Sequence, residues 1–270
     1  MNDVLISADR RLNEVLARYS PLAIAVSGGV DSITLAAVAH RVLSIAPLMV
    51  HALSPAVPVA ATERVRELAE REGWNLKEIK AGEFGDPEYR ANPYNRCYFC
   101  KSNLYRSISA LTDRQMASGA NLDDLTDYRP GLQAASEQNV VHPFVDAKID
   151  KATIRQIARL YQLVHYADLP AQPCLASRIE TGVPIRANDL LFVDEFECAL
   201  RKTLGEQSTI RVRMRLAGVY VELGEMPDRE ITQALEEKAR HICLKAGYQF
   251  KAITPYRQGS AFVKNATALA

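Results

Sequence analysis

The sequence predicts an α/β protein in which helices cover both faces of a parallel sheet, followed by a smaller C-terminal α+β domain. Three observations predict this class. Short apolar runs alternate with longer helical segments, which is typical of parallel sheets. A glycine-rich segment joins the first apolar run to the helix after it. Beyond about residue 180 the pattern changes to a helix, a hairpin and another helix.

The first domain is predicted to span residues 1–170. Its first strand is the continuous apolar run at 22–26, as expected of a buried parallel strand. An amphipathic stretch at 60–72 places Val65, Leu68 and Ala69 on one face of a helix. Strands are predicted at 22–26, 47–52, 76–79 and 114–118, and helices at 33–43, 60–72 and around 104–111.

The second domain, residues 183–270, is predicted to bind substrate or to mediate oligomerisation, and we expect a homo-oligomer. Gly218 separates two short strands that read as a hairpin. Residues 171–182 form a linker loop that bears Cys174. Helices are predicted at 188–204 and 230–244, and strands at 210–215, 219–223 and 248–253.

Length and charge limit the functional class. The chain has 270 residues, enough for one large domain and a smaller one, and its formal net charge is +1. So small a charge does not favour a nucleic-acid partner or a membrane surface. The sequence contains no apolar run of about 18 residues and no secretory pattern at its N-terminus. We therefore expect a cytoplasmic protein with no membrane or nucleic-acid partner.

The first strand runs directly into a glycine-rich phosphate loop. Glycines let backbone N–H groups turn toward an anion at a helix N-terminus, and serine hydroxyls add donors. A carboxylate in such a loop suits Mg²⁺ that bridges phosphates. The predicted ATP-binding residues are Ser27, Gly28, Gly29, Val30, Asp31 and Ser32.

This loop is neither a Walker A motif nor a dinucleotide G-x-G-x-x-G motif. It matches the S-G-G-x-D-S loop and so resembles the PP-loop ATP-pyrophosphatases, which include GMP synthetases, NAD synthetases and tRNA-thiolating enzymes. The resemblance implies an adenine-nucleotide alpha hydrolase-like fold and cleavage of ATP between its α and β phosphates. The alternative, a tight turn capped by Ser27 and Asp31, is disfavoured by the match at all six positions.

Three further strings follow in the chain: Asn-Arg-Cys-Tyr-Phe-Cys-Lys at 95–101, Gly-Ala-Asn-Leu-Asp-Asp-Leu-Thr-Asp-Tyr-Arg-Pro-Gly at 119–131, and Pro-Cys-Leu-Ala-Ser-Arg at 173–178. Together with the loop they resemble the LarE family, over roughly residues 26–260. That family makes the organic part of a nickel-pincer nucleotide cofactor.

The resemblance implies a reaction in two stages. ATP adenylates a carboxylate of a nucleotide-like substrate, a pyridinium biscarboxylate mononucleotide, and releases pyrophosphate. Sulfur, from a sulfide or another donor, then displaces AMP and leaves a thiocarboxylate. It also implies catalytic roles for Asp31, Cys174, Ser177 and Arg178.

Five cysteines, an odd number without any sign of secretion, argue against a disulfide framework. LarE-like proteins obtain sulfur either from a sacrificed cysteine or from a 4Fe–4S cluster held by three cysteines. Cys97, Cys100 and Cys174 could hold such a cluster with one open iron, and we favour this alternative. The alternatives are a sacrificial Cys174 and a zinc half-site at Cys97 and Cys100. We interpret the remaining two, Cys198 and Cys243, as core residues.

Polar residues follow the last predicted strand of the first domain, where open α/β sheets bind ligands. Gly119 and Asn121 are predicted to bind ATP, and Asp123, Asp127 and Arg129 to bind substrate. The competing interpretation is a polar loop with helix-capping aspartates.

Arg211 and Arg213 alternate on one face of a predicted strand, which suits bidentate binding of phosphate or carboxylate. Glu222 lies on the next predicted strand as a carboxylate of opposite charge. We predict all three to bind substrate. The resemblance also implies a metal-binding or substrate-facing carboxylate on the helix predicted at 188–204; Glu197 is a weaker prediction for this Mg²⁺ ligand, with Glu195 as its competitor. The competing interpretation of the arginines is a solvated strand face.

Other functions use the same loop. A tRNA-thiolating enzyme should have an RNA-binding module and a basic surface, which this chain lacks in sequence. Thiolation of another small molecule stays open. An amide-forming synthetase would need ammonia from a separate subunit, and a regulatory nucleotide-binding protein would not need Asp31 and Cys174.

Overall fold

A computed structural model describes residues 3–125, 129–205, 208–257 and 259–261. The chain divides into two compact units. The first consists of Met1–Gly85 and Cys97–Gln172, and the second of Asp86–Arg96 and Pro173–Ala270. No helix in the described ranges combines the length and the apolar character needed to cross a membrane.

Strands and helices alternate through most of the chain. Short 3₁₀ turns lie at Glu83–Gly85, Leu122–Leu125 and Leu175–Arg178. The strands and α-helices are, in chain order, α1 (Asp3–Tyr19), β1 (Leu22–Ala25), α2 (Val30–Val42), β2 (Leu48–Ala52), α3 (Val59–Glu72), β3 (Asn75–Ile79), α4 (Pro87–Arg90), α5 (Arg96–Ser109), β4 (Gln115–Ala117), α6 (Pro130–Glu137), α7 (Pro143–Asp146), α8 (Lys151–Leu160), α9 (Val164–Ala167), α10 (Ala187–Leu204), β5 (Ile210–Arg215), β6 (Gly218–Leu223), α11 (Arg229–Lys245) and β7 (Phe250–Pro255).

The first unit is built on a parallel sheet of four strands in the order β3-β2-β1-β4. The chain moves outward from β1 to β3 and then returns to the other side of β1 to form β4. The carboxyl end of β1 is therefore the switch point of the sheet, where open α/β folds bind ligands. This is the position at which the phosphate loop begins.

The sheet is covered on both faces, as predicted. Leu22 and Ile24 of β1 join a large core with residues of α1, α2, α3 and α8. Ala23, which points the other way, packs in a smaller core that contains Tyr105 and Ile108 of α5. This alternation follows from the two-residue period of a strand. The predicted α/β class with a parallel sheet is confirmed.

The second unit contains a three-stranded sheet in the order β5-β6-β7. β5 and β6 form the predicted antiparallel hairpin, and β7 runs parallel to β6. Phe196 of α10 and Leu235 and Cys243 of α11 are buried. The interpretation of Cys243 as a core residue is therefore confirmed.

Three features differ from the sequence-based expectations. The helices α1, α4, α6, α7, α8 and α9 are absent from those expectations. The helix that carries Cys97 and Cys100 begins at Arg96, so the cysteine pair lies inside its first turns instead of ahead of it. Residues 86–96, predicted within the first domain, belong to the second unit.

Candidate functional site

The phosphate loop, Ser27–Ser32, joins β1 to α2. Gly28 adopts a left-handed conformation with φ 84°, and a Cβ added there would lie 2.5 Å from the carbonyl oxygen of Ala61 in α3. Ser32 Oγ accepts a hydrogen bond from the Ser27 backbone N–H (3.1 Å) and donates one to the Gly29 carbonyl (3.1 Å). These contacts close the loop on itself and leave its shape dependent on glycine at position 28.

Asp31 belongs to the part of this loop that forms the first turn of α2. Its Oδ1 atom is buried and accepts no hydrogen bond from any residue that the structure describes. Its Oδ2 atom lies 3.7 Å from Nζ of Lys151. Burial raises the pKa of Asp31, and the positive charge of Lys151 partly opposes this rise. A buried carboxylate oxygen without a partner fits Mg²⁺, which prefers such hard oxygen ligands.

The segment after β4 packs directly against the phosphate loop. A Cβ added to Gly119 would lie 2.8 Å from the backbone nitrogen of Ser32. Asn121 is fully buried, and its side-chain oxygen accepts a hydrogen bond from the Asp123 backbone N–H (3.0 Å). Its Nδ2 atom has no hydrogen-bond acceptor among the described residues. The structure thus packs Gly119 against the loop, and Asn121, two residues further on, has a buried donor without an acceptor among the described residues.

The aspartates of this segment make local contacts. Asp123 Oδ2 accepts the backbone N–H of Lys151 (2.7 Å), at the N-terminus of α8. Asp124 accepts the backbone N–H of Asn121 (3.2 Å) and forms an ion pair with Arg129 (2.9 Å). These contacts match the capping interpretation, and a substrate-binding role of Asp123 and Arg129 stays a prediction. Asp127 lies outside the described residues.

Sequence reasoning missed Lys151. Its helix begins at the N-cap residue Asp150, whose side chain accepts the Thr153 backbone N–H (2.8 Å). That cap fixes the start of α8 and points its first residue at Asp31. The capping aspartate is visible in the sequence, but the partner of the lysine, 120 positions earlier, is not.

The cysteine pair lies on the other side of the sheet. Cys97 and Cys100 are half-buried on α5, three residues apart and thus on one face. Across the described ranges, no group of three His, Cys, Asp or Glu side chains is placed to hold a metal ion. A three-cysteine cluster would also need Cys174, which belongs to the second unit, so Cys97, Cys100 and Cys174 as its ligands stay a prediction.

Cys174, Ser177 and Arg178 form a compact turn in the second unit. Cys174 is exposed and precedes the 3₁₀ turn, whereas the side chains of Ser177 and Arg178 are buried. The Arg178 guanidinium donates to the Pro173 carbonyl (2.8 Å) and to Ser177 Oγ (3.0 Å). Arg178 therefore shapes the turn that presents the Cys174 thiol.

Glu197 is the charge partner of that arginine. Its carboxylate accepts from Arg178 at 2.9 and 3.1 Å, from Arg201 at 2.8 Å and from the Val212 backbone N–H at 3.0 Å. Burial opposes ionisation, yet the charges of Arg178, Arg211 and Arg201 lower the pKa of Glu197 below its ordinary value. Both oxygens are already engaged, which suits a structural ion pair better than a Mg²⁺ ligand.

β5 carries the arginine face, which we define as Arg211, Arg213 and Arg215 with the ring of Tyr256. The guanidiniums of Arg211 and Arg213 lie 5.8 and 6.0 Å from the centre of that ring. Glu222 accepts from Arg213 (2.8 Å) and from Arg215 (2.7 Å). The face is thus not a solvated strand, because Arg211, Arg213 and Glu222 are buried.

Positive charge is concentrated at the arginine face and the adjoining Arg178. Arg178 and Arg213 are buried against the carboxylates of Glu197 and Glu222, and Arg211 is buried near Arg178. Burial, followed by repulsion from Arg178, lowers the pKa of Arg211 to about 10. A buried guanidinium under such repulsion is stabilised by an added anion. The predicted pair of arginines therefore has the electrostatics of a phosphate or carboxylate site.

Sequence reasoning also missed the role of Asn92. This residue is fully buried with φ 54°, and its side-chain amide donates to the carbonyls of Glu180 and Val183, both at 2.8 Å. Its Oδ1 atom accepts from Arg96 (2.9 Å). The segment Asp86–Arg96 thereby holds the loop that follows the Cys174 turn.

Comparison with known proteins gives the chain a family. No protein-family model matches it. It is 36% identical over 238 residues to the uncharacterized protein slr1717 of Synechocystis sp., with 87% of each chain covered. It is 28% identical over 208 residues to the pyridinium-3,5-bisthiocarboxylic acid mononucleotide synthase of Lactiplantibacillus plantarum, a LarE-type enzyme, covering 75% of this chain and 74% of that protein. The chain belongs to the same family as slr1717, and it is distantly similar to a LarE-type enzyme.

Another relative is the uncharacterized protein MJ0830 of Methanocaldococcus jannaschii. It is 28% identical over 253 residues, with 92% of this chain and 94% of that protein covered. The similarity thus includes both units. Because the relative with a stated activity is distant, the family supports an enzyme of this general type and not one particular substrate.

Proposed function

We propose that this protein uses ATP to adenylate a substrate carboxylate and then transfers sulfur to the activated carbon. The observation that carries the proposal is the buried Oδ1 of Asp31 in the phosphate loop, which has no partner among the residues that the structure describes. A carboxylate beside phosphates is unfavourable unless a cation lies between them. Mg²⁺ bound to ATP meets that requirement, and the LarE-like family supports the same chemistry.

In the first step a substrate carboxylate oxygen attacks the α-phosphorus of ATP, and the bond to the bridging oxygen of the β-phosphate breaks. Backbone N–H groups of the phosphate loop and the hydroxyls of Ser27 and Ser32 hold the phosphates. Asp31 would hold Mg²⁺, which neutralises the departing pyrophosphate. Lys151 places a further positive charge beside Asp31.

In the second step a sulfur nucleophile attacks the acyl carbon, and the bond to the AMP oxygen breaks. With sulfide as the nucleophile the products are AMP and a thiocarboxylate. With the Cys174 thiolate they are AMP and a thioester, and cleavage of the Cys174 Cβ–Sγ bond with loss of the α proton then releases the thiocarboxylate and leaves dehydroalanine. The mixed anhydride is needed because a free carboxylate is a poor electrophile, whereas AMP is a good leaving group. We assign the exposed Cys174 thiol to this stage, on the turn that Ser177 and Arg178 shape.

The substrate is an anionic, nucleotide-like carboxylate. The burial of Arg211 and its repulsion from Arg178 support this class. A bound phosphate or carboxylate would stabilise the Arg211 guanidinium against both effects. We therefore keep Arg211 and Arg213 as substrate-binding residues, with Glu222 as the group that fixes the Arg213 guanidinium. Glu197 is not proposed as a magnesium ligand.

The decisive experiment is carboxylate-dependent exchange of labelled pyrophosphate into ATP, with pyridinium-3,5-biscarboxylic acid mononucleotide as the carboxylate. Exchange that requires both the carboxylate and Mg²⁺, and that Asp31→Asn abolishes, is expected. Formation of ADP instead of AMP and pyrophosphate would contradict adenylation. Exchange supported by tRNA alone, or amide formation with ammonia, would favour the other enzymes that use this loop.

The sulfur source requires a separate measurement. After one turnover without added sulfide, peptide mass spectrometry shows whether Cys174 has lost H₂S and become dehydroalanine. Anaerobic reconstitution with iron and sulfide, compared between wild type and Cys97→Ala, shows whether a cluster forms. An unchanged Cys174 combined with cluster uptake would favour the cluster; a converted Cys174 would favour the sacrificial cysteine.

A further inference from the structure

Arg64 of α3 lies at the rim of the phosphate loop, although its sequence neighbourhood is an ordinary amphipathic helix. Ala61, one turn earlier on the same helix, is the residue that a Cβ on Gly28 would strike. From this close packing, Arg64 Nε donates to the Gly28 carbonyl at 3.3 Å. The guanidinium thus contacts the backbone of the loop that is to hold the phosphates.

The other end of the same guanidinium contacts a different segment. Arg64 Nη2 donates to Oε1 of Gln172 at 2.6 Å. Gln172 is the last residue of the first unit, and Cys174 follows it by two positions. One side chain therefore joins the phosphate loop to the end of the chain segment that leads to the proposed sulfur-bearing cysteine.

We call Ala167–Gln172 the approach segment. Arg155 of α8 donates to the carbonyls of Ala167 and Leu169, the latter at 2.7 Å, and Arg159 forms an ion pair with Asp168. Arg155 and Arg159 of α8 thus hold the approach segment within the first unit. Arg64 holds its last residue and also contacts the phosphate loop. Arg155 also lies close enough to Asp31 to lower the pKa of that carboxyl.

A bound triphosphate changes the balance of these contacts. The bond from Arg64 to Gly28 is long and has a neutral carbonyl as its acceptor, whereas a phosphate oxygen gives a shorter, charge-assisted bond of about twice the strength. The guanidinium is a rigid planar fork, so turning it toward a phosphate carries its other nitrogens away from their present acceptors. Such a rotation would break the hydrogen bond from Arg64 Nη2 to Gln172 Oε1.

We propose that Arg64 is a phosphate-binding residue that exchanges Gln172 for the nucleotide, so that ATP binding releases the Gln172 end of the approach segment while Arg155 and Arg159 hold the rest. The proposal rests on the proposed function, since it requires the loop to bind ATP. By thermodynamic linkage, a bond that nucleotide binding breaks must also oppose nucleotide binding. Removing Arg64 should therefore weaken binding, and removing the Gln172 side chain should strengthen it.

The test measures binding of α,β-methylene-ATP with Mg²⁺ by calorimetry to the full-length chain. Arg64→Ala should weaken binding about tenfold, the loss expected for a charge-assisted hydrogen bond. Gln172→Ala should tighten binding a few-fold, on the order of a modest hydrogen bond. Arg66→Ala is the matched control, because Arg66 lies on the same helix and pairs with Glu78, away from the loop.

A second measurement follows the approach segment. The alkylation rate of Cys174, read by peptide mass spectrometry, should rise several-fold with the analogue in wild type and Arg66→Ala. It should be high without nucleotide in Gln172→Ala and insensitive to nucleotide in Arg64→Ala. Equal affinities in Arg64→Ala and Arg66→Ala, or weaker binding by Gln172→Ala, would overturn the proposal. If wild type itself binds no analogue and forms no AMP, the proposed function fails as well.

Discussion

In the proposed function the phosphate loop and the arginine face both bind anions, but they offer different groups to them. The loop offers backbone N–H groups, two hydroxyls and one carboxylate whose Oδ1 has no partner among the described residues. At the arginine face Glu222 already pairs with the buried Arg213, and next to it Glu197 pairs with the buried Arg178. In the proposed function the first region binds its anion through a cation, whereas the second binds its anion directly.

This difference separates what each region contributes to stability. Burial of Asp31 lowers the stability of the fold when the carboxyl is ionised, because burial raises the pKa of Asp31. Glu197 gains, because Arg178 holds its pKa below the ordinary value. Neutralising one acid should therefore damage chemistry and spare the fold, and neutralising the other should damage the fold.

The largest effect is expected at Glu197. Glu197→Gln leaves the buried Arg178 guanidinium without its carboxylate, so the free energy of unfolding should fall by about 3–5 kcal/mol. The control is Glu195→Gln, an exposed neighbour on α10, which should change it by less than about 0.5 kcal/mol. Denaturant unfolding measures both, and similar losses in the two variants would contradict the assignment of the ion pair.

The same variant has a defined pH dependence. Because the folded pKa of Glu197 lies below that of an ordinary glutamate, about 4.3, its contribution is fully present above that pH. It is lost as the pH falls through the lower folded pKa. The difference in stability between wild type and Glu197→Gln should therefore be largest near neutral pH and shrink in acid.

Asp31→Asn should have the largest effect on chemistry. Loss of the carboxylate removes the proposed magnesium ligand, and pyrophosphate exchange should fall about 100-fold or more, which corresponds to several kcal/mol of electrostatic stabilisation. Because the folded pKa of Asp31 is raised, its ionisation costs stability at neutral pH, and the thermal midpoint should stay unchanged or rise.

The control for this variant is Asp113→Asn, an exposed residue that precedes the opposite, amino-terminal end of β4. It should leave exchange and melting unchanged. A folded Asp31→Asn with full exchange activity would show that the unpartnered oxygen has no part in the reaction, and the contrast between the two regions would fail.

A smaller effect is expected from the shape of the loop. Gly28→Ala forces a Cβ to within 2.5 Å of the Ala61 carbonyl at φ 84°, so the free energy of unfolding should fall by about 2 kcal/mol. Gly29→Ala is the matched control, with φ −84° and its nearest contact 3.6 Å away. Calorimetry compares the thermal midpoints of the two variants. Equal midpoints would mean that the loop accommodates a Cβ at position 28 without loss of stability.

Lys151→Met should have the smallest effect. The lysine is partly exposed and lies 3.7 Å from Asp31, so its loss should slow pyrophosphate exchange about tenfold without a measurable change in stability. Lys148→Met, an exposed lysine three residues earlier, should not change the rate. If both variants exchanged at the wild-type rate, Asp31 would act without this charge.

Local patterns explain why part of this arrangement could be predicted. The phosphate loop is six consecutive residues between a strand and a helix, and the hairpin of β5 and β6 has two-residue alternation around Gly218. The parallel sheet and its switch point follow from strands and helices in alternation. None of these requires knowledge of a distant partner.

The rest depends on contacts that are distant in the chain. Arg213 was predicted to face substrate with Arg211, but the ion pair with Glu222 and the bond to the Ser177 carbonyl show how firmly it is held. Glu197 was predicted as a weak metal ligand because a helix pattern does not reveal which charges pack against it. Lys151 was missed because helix capping identifies a helix start and not what its first side chain meets.

The position of Asp86–Arg96 in the second unit has a consequence for synthesis of the chain. Asn92 must wait for the carbonyls of Glu180 and Val183 to be made before its amide has its native acceptors. At roughly 5–20 residues per second, that wait lasts several seconds on the ribosome. The strands and helices around the phosphate loop are complete before then. The first unit must therefore fold while residues 86–96 still lack their native contacts. Because these residues belong to the second unit, a single cut in the chain cannot separate the two units.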